Sequence, residues 1–415
     1  MKMNILIIIS LMMLASCGGH LSPVDDDFPP IEKKDTIFEL IWETRIDSTM
    51  SVVGGIYHQI WKNAVIFSGR LEDPPTLYAY DQQSGKLLWE FVNKKGLKDK
   101  IIYSALKEDI YIGITNDGIF GFDLNKREMK WQINLSKMDT RFGWNMTIHN
   151  DYIYMPVTYM FGKVNIADER MIRVDYRTGE METVFHIQSK DSLLDKFSAP
   201  VFWTNPETGH DIMFFNNQNW NYHLSPQEVS QDLITVDVDT KQVFWCNAEF
   251  TPVASNGSIH PIMYGDNIIT GGDWSIYSFD AFTGNLNWKR EFAELKPWSL
   301  WGTAEHIIKG NRLYCKDNGR SIWCLNADIG EVIWHNPTDG SNCKPSTIYY
   351  KDMLVYTSWG KGAIMVLDAF TGERIHKERS HNNSTFFSDV VYDPETDMFF
   401  TKDFEFAYGF KIHKP

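Results

Sequence analysis

The sequence predicts an all-β chain folded as an eight-bladed β-propeller of four-stranded antiparallel blades, with the N-terminal strand joining the C-terminal three strands to close the ring. Three observations carry that prediction. One motif recurs seven times in a single register, its copies are spaced by the chain needed for one blade, and the two ends hold complementary parts of an eighth unit.

The motif is clearest from Ala79 to Trp89, AYDQQSGKLLW, and returns as SFDAFTGNLNW ending at Trp288, CLNADIGEVIW ending at Trp334 and VLDAFTGERIH ending at His376. Looser copies end at Trp131, Thr183 and Trp245, and an Asp or Asn stands eight residues before the last position each time. Alternating apolar residues form a strand, Asp or Asn opens a tight turn, and Gly, where present, takes a left-handed conformation before the next strand. Each copy is therefore a β-hairpin. Trp42, Trp89, Trp131, Trp245, Trp288 and Trp334 are expected to be structural, each indole docking on a neighbouring repeat. A small residue ten positions earlier, such as Ala79, Gly121 or Ser278, leaves room for the ring.

Hairpin ends lie 42 to 62 residues apart, the period of propeller blades. In the fifth repeat, 258–264, 267–270, 275–280 and 285–290 read as its four strands. Phe38 to Arg45 reads as an outer strand carrying Trp42 with no hairpin before it. Phe386 to Tyr392, Met398 to Lys402 and Ala407 to Ile412 read as three strands with no fourth. Pairing them closes the ring and removes the free edge.

The A-x-D-x-x-T-G-x-x-x-W pattern resembles the tryptophan-docking motif of pyrroloquinoline-quinone-like (PQQ-like) propeller repeats over nearly the whole chain after the leader. That family includes quinoprotein alcohol dehydrogenases and the eight-bladed lipoprotein of the outer-membrane β-barrel assembly machinery. The resemblance implies the fold and leaves both activities open. The enzymes carry a vicinal Cys-Cys disulfide against the cofactor, and no adjacent cysteines occur here. No cofactor is therefore expected, with a PQQ-dependent oxidoreductase as the enzymatic alternative.

The start reads as an export signal: Lys2, an apolar run from Ile5 to Met13, then Leu14-Ala15-Ser16-Cys17. This resembles the lipobox of bacterial lipoproteins, which makes Cys17 the lipid acceptor, against the plainer reading of an ordinary signal peptide. The organisation expected is 1–17 leader, 18–36 disordered linker and 37–415 propeller, the linker resting on Pro23, Asp25-Asp26-Asp27 and Pro29-Pro30. The acidic triplet is similar to export tags of some Bacteroidota surface lipoproteins, but begins eight residues past Cys17. The location expected is the cell envelope, with the outer membrane favoured.

Net charge is −14, which argues against a nucleic-acid partner. The twelve histidines are scattered, and no H-E-x-x-H, paired C-x-x-C or calcium-loop motif occurs, so no metal is assigned. His260, His306 and His381 hold comparable early positions in blades 5, 6 and 8, either as a funnel cluster or as three separate polar residues. No catalytic residue is assigned: nucleophile and phosphate-loop motifs are missing, and a carboxylate pair is not identifiable among fifty-four acidic residues. Cys315 and Cys324 flank an Asn318-Gly319 turn signal, and buried free thiols are favoured over a cross-hairpin disulfide.

The third and fourth repeats are long, and their excess is expected in second-to-third loops at Tyr159 to Glu169 and Asn217 to Gln231, on the face opposite the Asp-to-Gly turns. Such loops are where scaffolds place recognition. Asn217, Asn219, Trp220 and Tyr222 are candidates there, joined by Trp144, Trp298, Trp301 and Trp359 at connections on that face. Trp274 lies there too. The alternative for any one Trp is core packing. Together these features point to a non-catalytic, lipid-anchored envelope scaffold binding a protein partner, by resemblance in outer-membrane protein assembly. The rival is a binder of glycan or small molecules that stacks them on Trp220, Trp298 and Trp301.

Overall fold

A computed structural model describes residues 37–414 except 47–56, 70–75, 94–95, 98–100, 136–139, 143–145, 162–165, 189–192, 222–228, 253–259, 273, 293–305, 318–320, 340–345, 359–361, 381–385 and 387. The strands form eight separate antiparallel sheets with no helix among the described residues. Six sheets have four strands, in sequential order in all but the one that joins the two chain ends, and the other two add a short fifth. Blades 1 to 7 follow the chain from Gln59–Trp61 to Arg374–Arg379.

Blade 8 is built from both ends. Phe38–Arg45 pairs with Phe406–Ile412, followed inward by Met398–Lys402 and Val391–Asp393. The first of its three C-terminal strands is shorter than the expected run from Phe386. In blade 5 the four strands lie at Ile262–Tyr264, Asn267–Gly271, Ser275–Asp280 and Leu286–Glu291.

Among the described residues there is no single core. Eight apolar clusters occupy the eight seams, each drawing its residues from two adjacent blades. Strand alternation produces this: Ala64 and Ile66 of blade 1 join the seam with blade 2, whereas Val65 and Phe67 join the seam with blade 8. Each fully buried Ile or Phe contributes roughly 1.5–3 kcal/mol.

The tryptophans bridge these seams. Indole N–H groups donate to the turn of the following blade, Trp42 to Gln82 O at 2.6 Å, Trp131 to Tyr176 O at 2.8 Å and Trp245 to Ala281 O at 3.0 Å. Trp288 does the same to Ala327 O at 3.0 Å and Trp334 to Ala369 O at 3.1 Å. The turns are set by side-chain bonds: Asp81 Oδ1 accepts from Ser84 N and Oγ at 2.9 and 2.7 Å, and Gly85 N donates to Asp81 O at 2.9 Å. The Ser84 bond holds the Asp81 carboxyl below the ordinary carboxylate range. Gly372, at φ +74°, has no room for a Cβ because the Trp334 ring stands there. Blade 2 lacks the glycine. Arg127 takes the left-handed position at φ 58°, and its guanidinium lies 5.9 Å from the Trp89 ring centre.

Cys315 pairs with Trp323 and Cys324 with Tyr314, which turns the two thiols into different seams. Both are free. Burial pushes the Cys324 thiol to about 11.

Candidate functional site

Blades 3 and 4 depart from the repeat on the same face and side by side. The second strand of an ordinary blade has five or six residues, as in Ala64–Gly69 and Arg312–Lys316, whereas blade 3 has Tyr152–Phe161 and blade 4 Asp211–Asn221. The third strands lengthen with them, Ile166–Asp175 and Val229–Asp237. Four or five extra residues carry each hairpin roughly 15 Å beyond the level of its neighbours. The inner strand of each blade is broken to cover the added length. Thr140–Phe142 and Thr147–His149 both pair with the second strand of blade 3, and Leu193–Phe197 and Val201–Thr204 do so in blade 4.

This corrects the expectation of two recognition loops. Most of Tyr159 to Glu169 and Asn217 to Gln231 is paired strand, with only 162–165 and 222–228 outside the described residues. Amides at the margins of the blade 4 stretch bond across a buried seam. Asn216 Nδ2 donates to Thr270 Oγ1 at 2.7 Å and Gln231 Nε2 to Gly271 O at 2.8 Å, both in blade 5. Asn217 is 1% exposed, and its Oδ1 accepts from Lys196 N at 3.2 Å, so it is no part of an open surface.

Asn219 and Trp220 lie in Asp211–Asn221, paired with Asp195 and Leu194 on one side and Ser230 and Val229 on the other. Their side chains, and all of Trp144, Tyr222, Trp298, Trp301 and Trp359, lie outside the described residues. Trp274 is half-buried and packs against the cluster of blades 5 and 6, the core alternative.

Phe185, Phe197 and Phe215 pack together at the base of the two extensions, with ring centres 4.8 to 6.0 Å apart. Glu169 crosses the same seam: its Oε1 accepts from Phe197 N at 3.2 Å and its Oε2 from Thr158 Oγ1. The extensions are therefore a braced unit. Asp168 and Arg170 share the opposite face with Ile172 and Val174, which face blade 2. Arg170 binds Asp168 Oδ2 through Nε at 2.9 Å and Nη2 at 2.5 Å, and His186 stands 3.6 Å from Asp168 with 63% of its side chain exposed. The strands of blade 2 carry no matching extension; Asp168 is buried, and the parts of Arg170 and His186 that reach solvent form a ledge able to hydrogen-bond an incoming chain. Sequence reading missed it because Asp168 and His186 meet only through strand pairing.

His306 is buried and, by alternation with Ile308, turns into the seam of blades 5 and 6; His260 is half-buried and His381 lies outside the described residues. Among the described residues, His210, Asp237 and Asp239 bring three possible ligand atoms within 4.8 Å of one another on the turn face of blade 4. His210 Nδ1 bonds Asp237 Oδ2 at 2.9 Å, and that bond raises its pKa. The pair braces two turns of one blade.

Eight sheets in a ring, an indole bridge from blade to blade and closure by both ends define a PQQ-like eight-bladed β-propeller. Among named proteins, the chain resembles outer membrane protein assembly factor BamB. The family model of that description matches residues 272–396. The Escherichia coli K12 protein of that name is 24% identical over 129 residues, 31% of this chain and 28% of the relative. The match thus spans under a third of that protein's length. BamB from Moraxella catarrhalis superposes with a TM-score of 0.59 at 10% identity, covering 90% of this chain and 100% of that one. A europium-containing methanol dehydrogenase superposes with a TM-score of 0.67 at 10% identity, covering 90% and 93%. At these identities the superpositions establish the fold.

Proposed function

We propose that this protein is a non-catalytic, lipid-anchored scaffold of the bacterial outer membrane, which holds a protein partner of outer-membrane protein assembly on the extended hairpins of blades 3 and 4. The observation that carries the reading is the adjacency of those two hairpins, braced at their base by three phenylalanines, with Arg170 and His186 of the blade 3 hairpin reaching solvent. A recognition surface needs rigid, preorganised elements standing clear of the scaffold. Similarity to BamB supports the process, and the lipobox at Cys17 supports the tether.

The test is affinity purification of the full-length protein from its native membrane, beside a variant whose blade 4 hairpin is cut back by replacing residues 219–230 with an Asn-Gly turn. The expected result is an unchanged β-sheet circular dichroism spectrum and loss of the co-purifying partner. Unchanged partner recovery from a folded variant overturns the assignment of the surface. Dye-linked alcohol oxidation after adding PQQ and calcium overturns the non-catalytic reading.

A further inference from the structure

Two side chains stand exposed at the tip of each Asp-to-Gly turn, and their chemistry divides that face of the ring in two. In blades 1 to 4 both tips are polar, as with Asn125 and Lys126 of blade 2 or Arg177 and Thr178 of blade 3. Blades 5, 6 and 7 each place a large apolar residue there: Phe282, Ile329 and Phe370 are 37%, 54% and 49% exposed. The turn itself does not call for them. Asp368 Oδ1 accepts from the backbone nitrogens of Phe370 and Thr371 at 2.8 Å, just as Asp175 Oδ1 accepts from those of Arg177 and Thr178 at 2.8 Å. Three consecutive blades thus carry an arc of apolar tips that local structure leaves unexplained.

The chain enters the ring beside this arc. Phe38 pairs with Ile412 at the end of the third strand of blade 8, the end that in other blades runs into the turn, as at Asp280 and Asp368. The Phe38 ring also stacks on His376 of blade 7, centres 5.5 Å apart. Ile37 therefore emerges on the turn face, next to the blade that carries Phe370. Even fully extended, residues 18–36 reach no further than about 65 Å, so a lipid on Cys17 keeps this face close to the bilayer. Cations flank the apolar tips: Arg312 lies 5.0 Å from the centre of the Phe370 ring, and Lys309 Nζ 5.7 Å from that of Tyr349. Basic groups beside apolar side chains suit the boundary between lipid phosphates and acyl chains.

We propose, on the reading of Cys17 as the lipid acceptor, that Phe282, Ile329 and Phe370 dip into the membrane surface that holds the tether. The disc then rests on the turns of blades 5 to 7, and the extended hairpins of blades 3 and 4 point away from the lipid. Separate protruding tips suit a fluid bilayer, into which side chains sink one at a time, whereas a protein partner needs a continuous complementary surface. Each tip that leaves water favours the docked state. The tether makes docking intramolecular, so a few side chains suffice.

The test holds the chain from residue 18, with a polyhistidine segment at its start, on vesicles of phosphatidylethanolamine and phosphatidylglycerol that contain a nickel-chelating lipid. This tether does not depend on Cys17, which palmitate labelling of the full chain in cells examines separately. Ile329→Cys, Phe370→Cys and Lys126→Cys, each with Cys246→Ser and Cys343→Ser, carry an environment-sensitive fluorophore. All three positions are exposed, so an unchanged circular dichroism spectrum is expected. On vesicles the probes at 329 and 370 should shift to the blue and be quenched by nitroxide-labelled lipid. The probe at 126, across the ring in blade 2, should keep its aqueous spectrum. Aqueous spectra at 329 and 370 on the tethered protein, or equal shifts at all three positions, would overturn the proposal. A blue shift that precedes the vesicles and grows with protein concentration would also overturn it, by giving the arc to a second copy. Failure of palmitate labelling would overturn the tether and not the contact read on vesicles.

Discussion

Trp334 donates its indole N–H to the carbonyl of Ala369 in the next blade, 3.1 Å away, and Tyr314 OH donates to the same oxygen at 3.1 Å. One buried acceptor thus serves two donors from the preceding blade. Losing either donor leaves the oxygen satisfied, and losing both orphans it. Trp334→Phe and Tyr314→Phe should each cost about 1–2 kcal/mol, and the double variant should exceed their sum by roughly 1–3 kcal/mol. Urea unfolding of the four proteins in the cycle measures the coupling; strict additivity would show the shared oxygen to be unimportant.

Gly372 and Gly310 separate backbone strain from steric conflict. Both have positive φ, +74° and +60°, but a Cβ on Gly372 meets the Trp334 ring while one on Gly310 meets nothing within 4 Å. Gly310→Ala should cost about 1 kcal/mol, and Gly372→Ala about 2–4 kcal/mol because the indole must also move. Equal losses in chemical denaturation would remove the indole from the account.

Acid should weaken the fold through its buried imidazoles. Burial, and then the Lys316 charge, lower the pKa of His306 to about 4, and burial with Lys402 lowers that of His58 in the same direction. The unfolded chain, with histidine near about 6.5, binds more protons than the folded one between the two values. The stability is therefore full above about 6.5 and is lost as pH falls toward 4. His306→Phe should flatten that part of the profile by about 2–3 kcal/mol relative to wild type. Parallel profiles for the two proteins would contradict it.

Thiol reactivity should follow exposure. Cys246 is exposed, whereas Cys315 and Cys324 are buried with raised pKa values. Iodoacetamide labelling read by peptide mass mapping should modify Cys246 in the native protein, and Cys315 and Cys324 only after unfolding. Native labelling of Cys324, or its recovery disulfide-linked to Cys315, would contradict this arrangement.

The ring was legible in the sequence because its rules are local. Asp81, Ser84 and Gly85 set a turn within five residues, and the Trp that follows is placed by the same hairpin. Closure was legible because Phe38 to Arg45 carried an outer-strand pattern with no partner nearby. The extensions were not legible as strands. Asn217, Gln218 and Asn219 have poor strand propensity, and their pairing depends on Leu193–Phe197 and on a facing strand whose Gln231 is held by Gly271 of blade 5. Tertiary hydrogen bonding overrode local preference there.

The strand Phe38–Arg45 has its mate at Phe406–Ile412, almost a whole chain away. Synthesis from the N-terminus therefore delivers that strand first and its partner last. During the interval the early strand is an unpaired edge, open to pairing with a second copy or to capture by a holding factor. Closure of the ring has to wait for the last strand to arrive. Truncation by even the last ten residues should be punished far more severely than its modest loss of buried surface suggests.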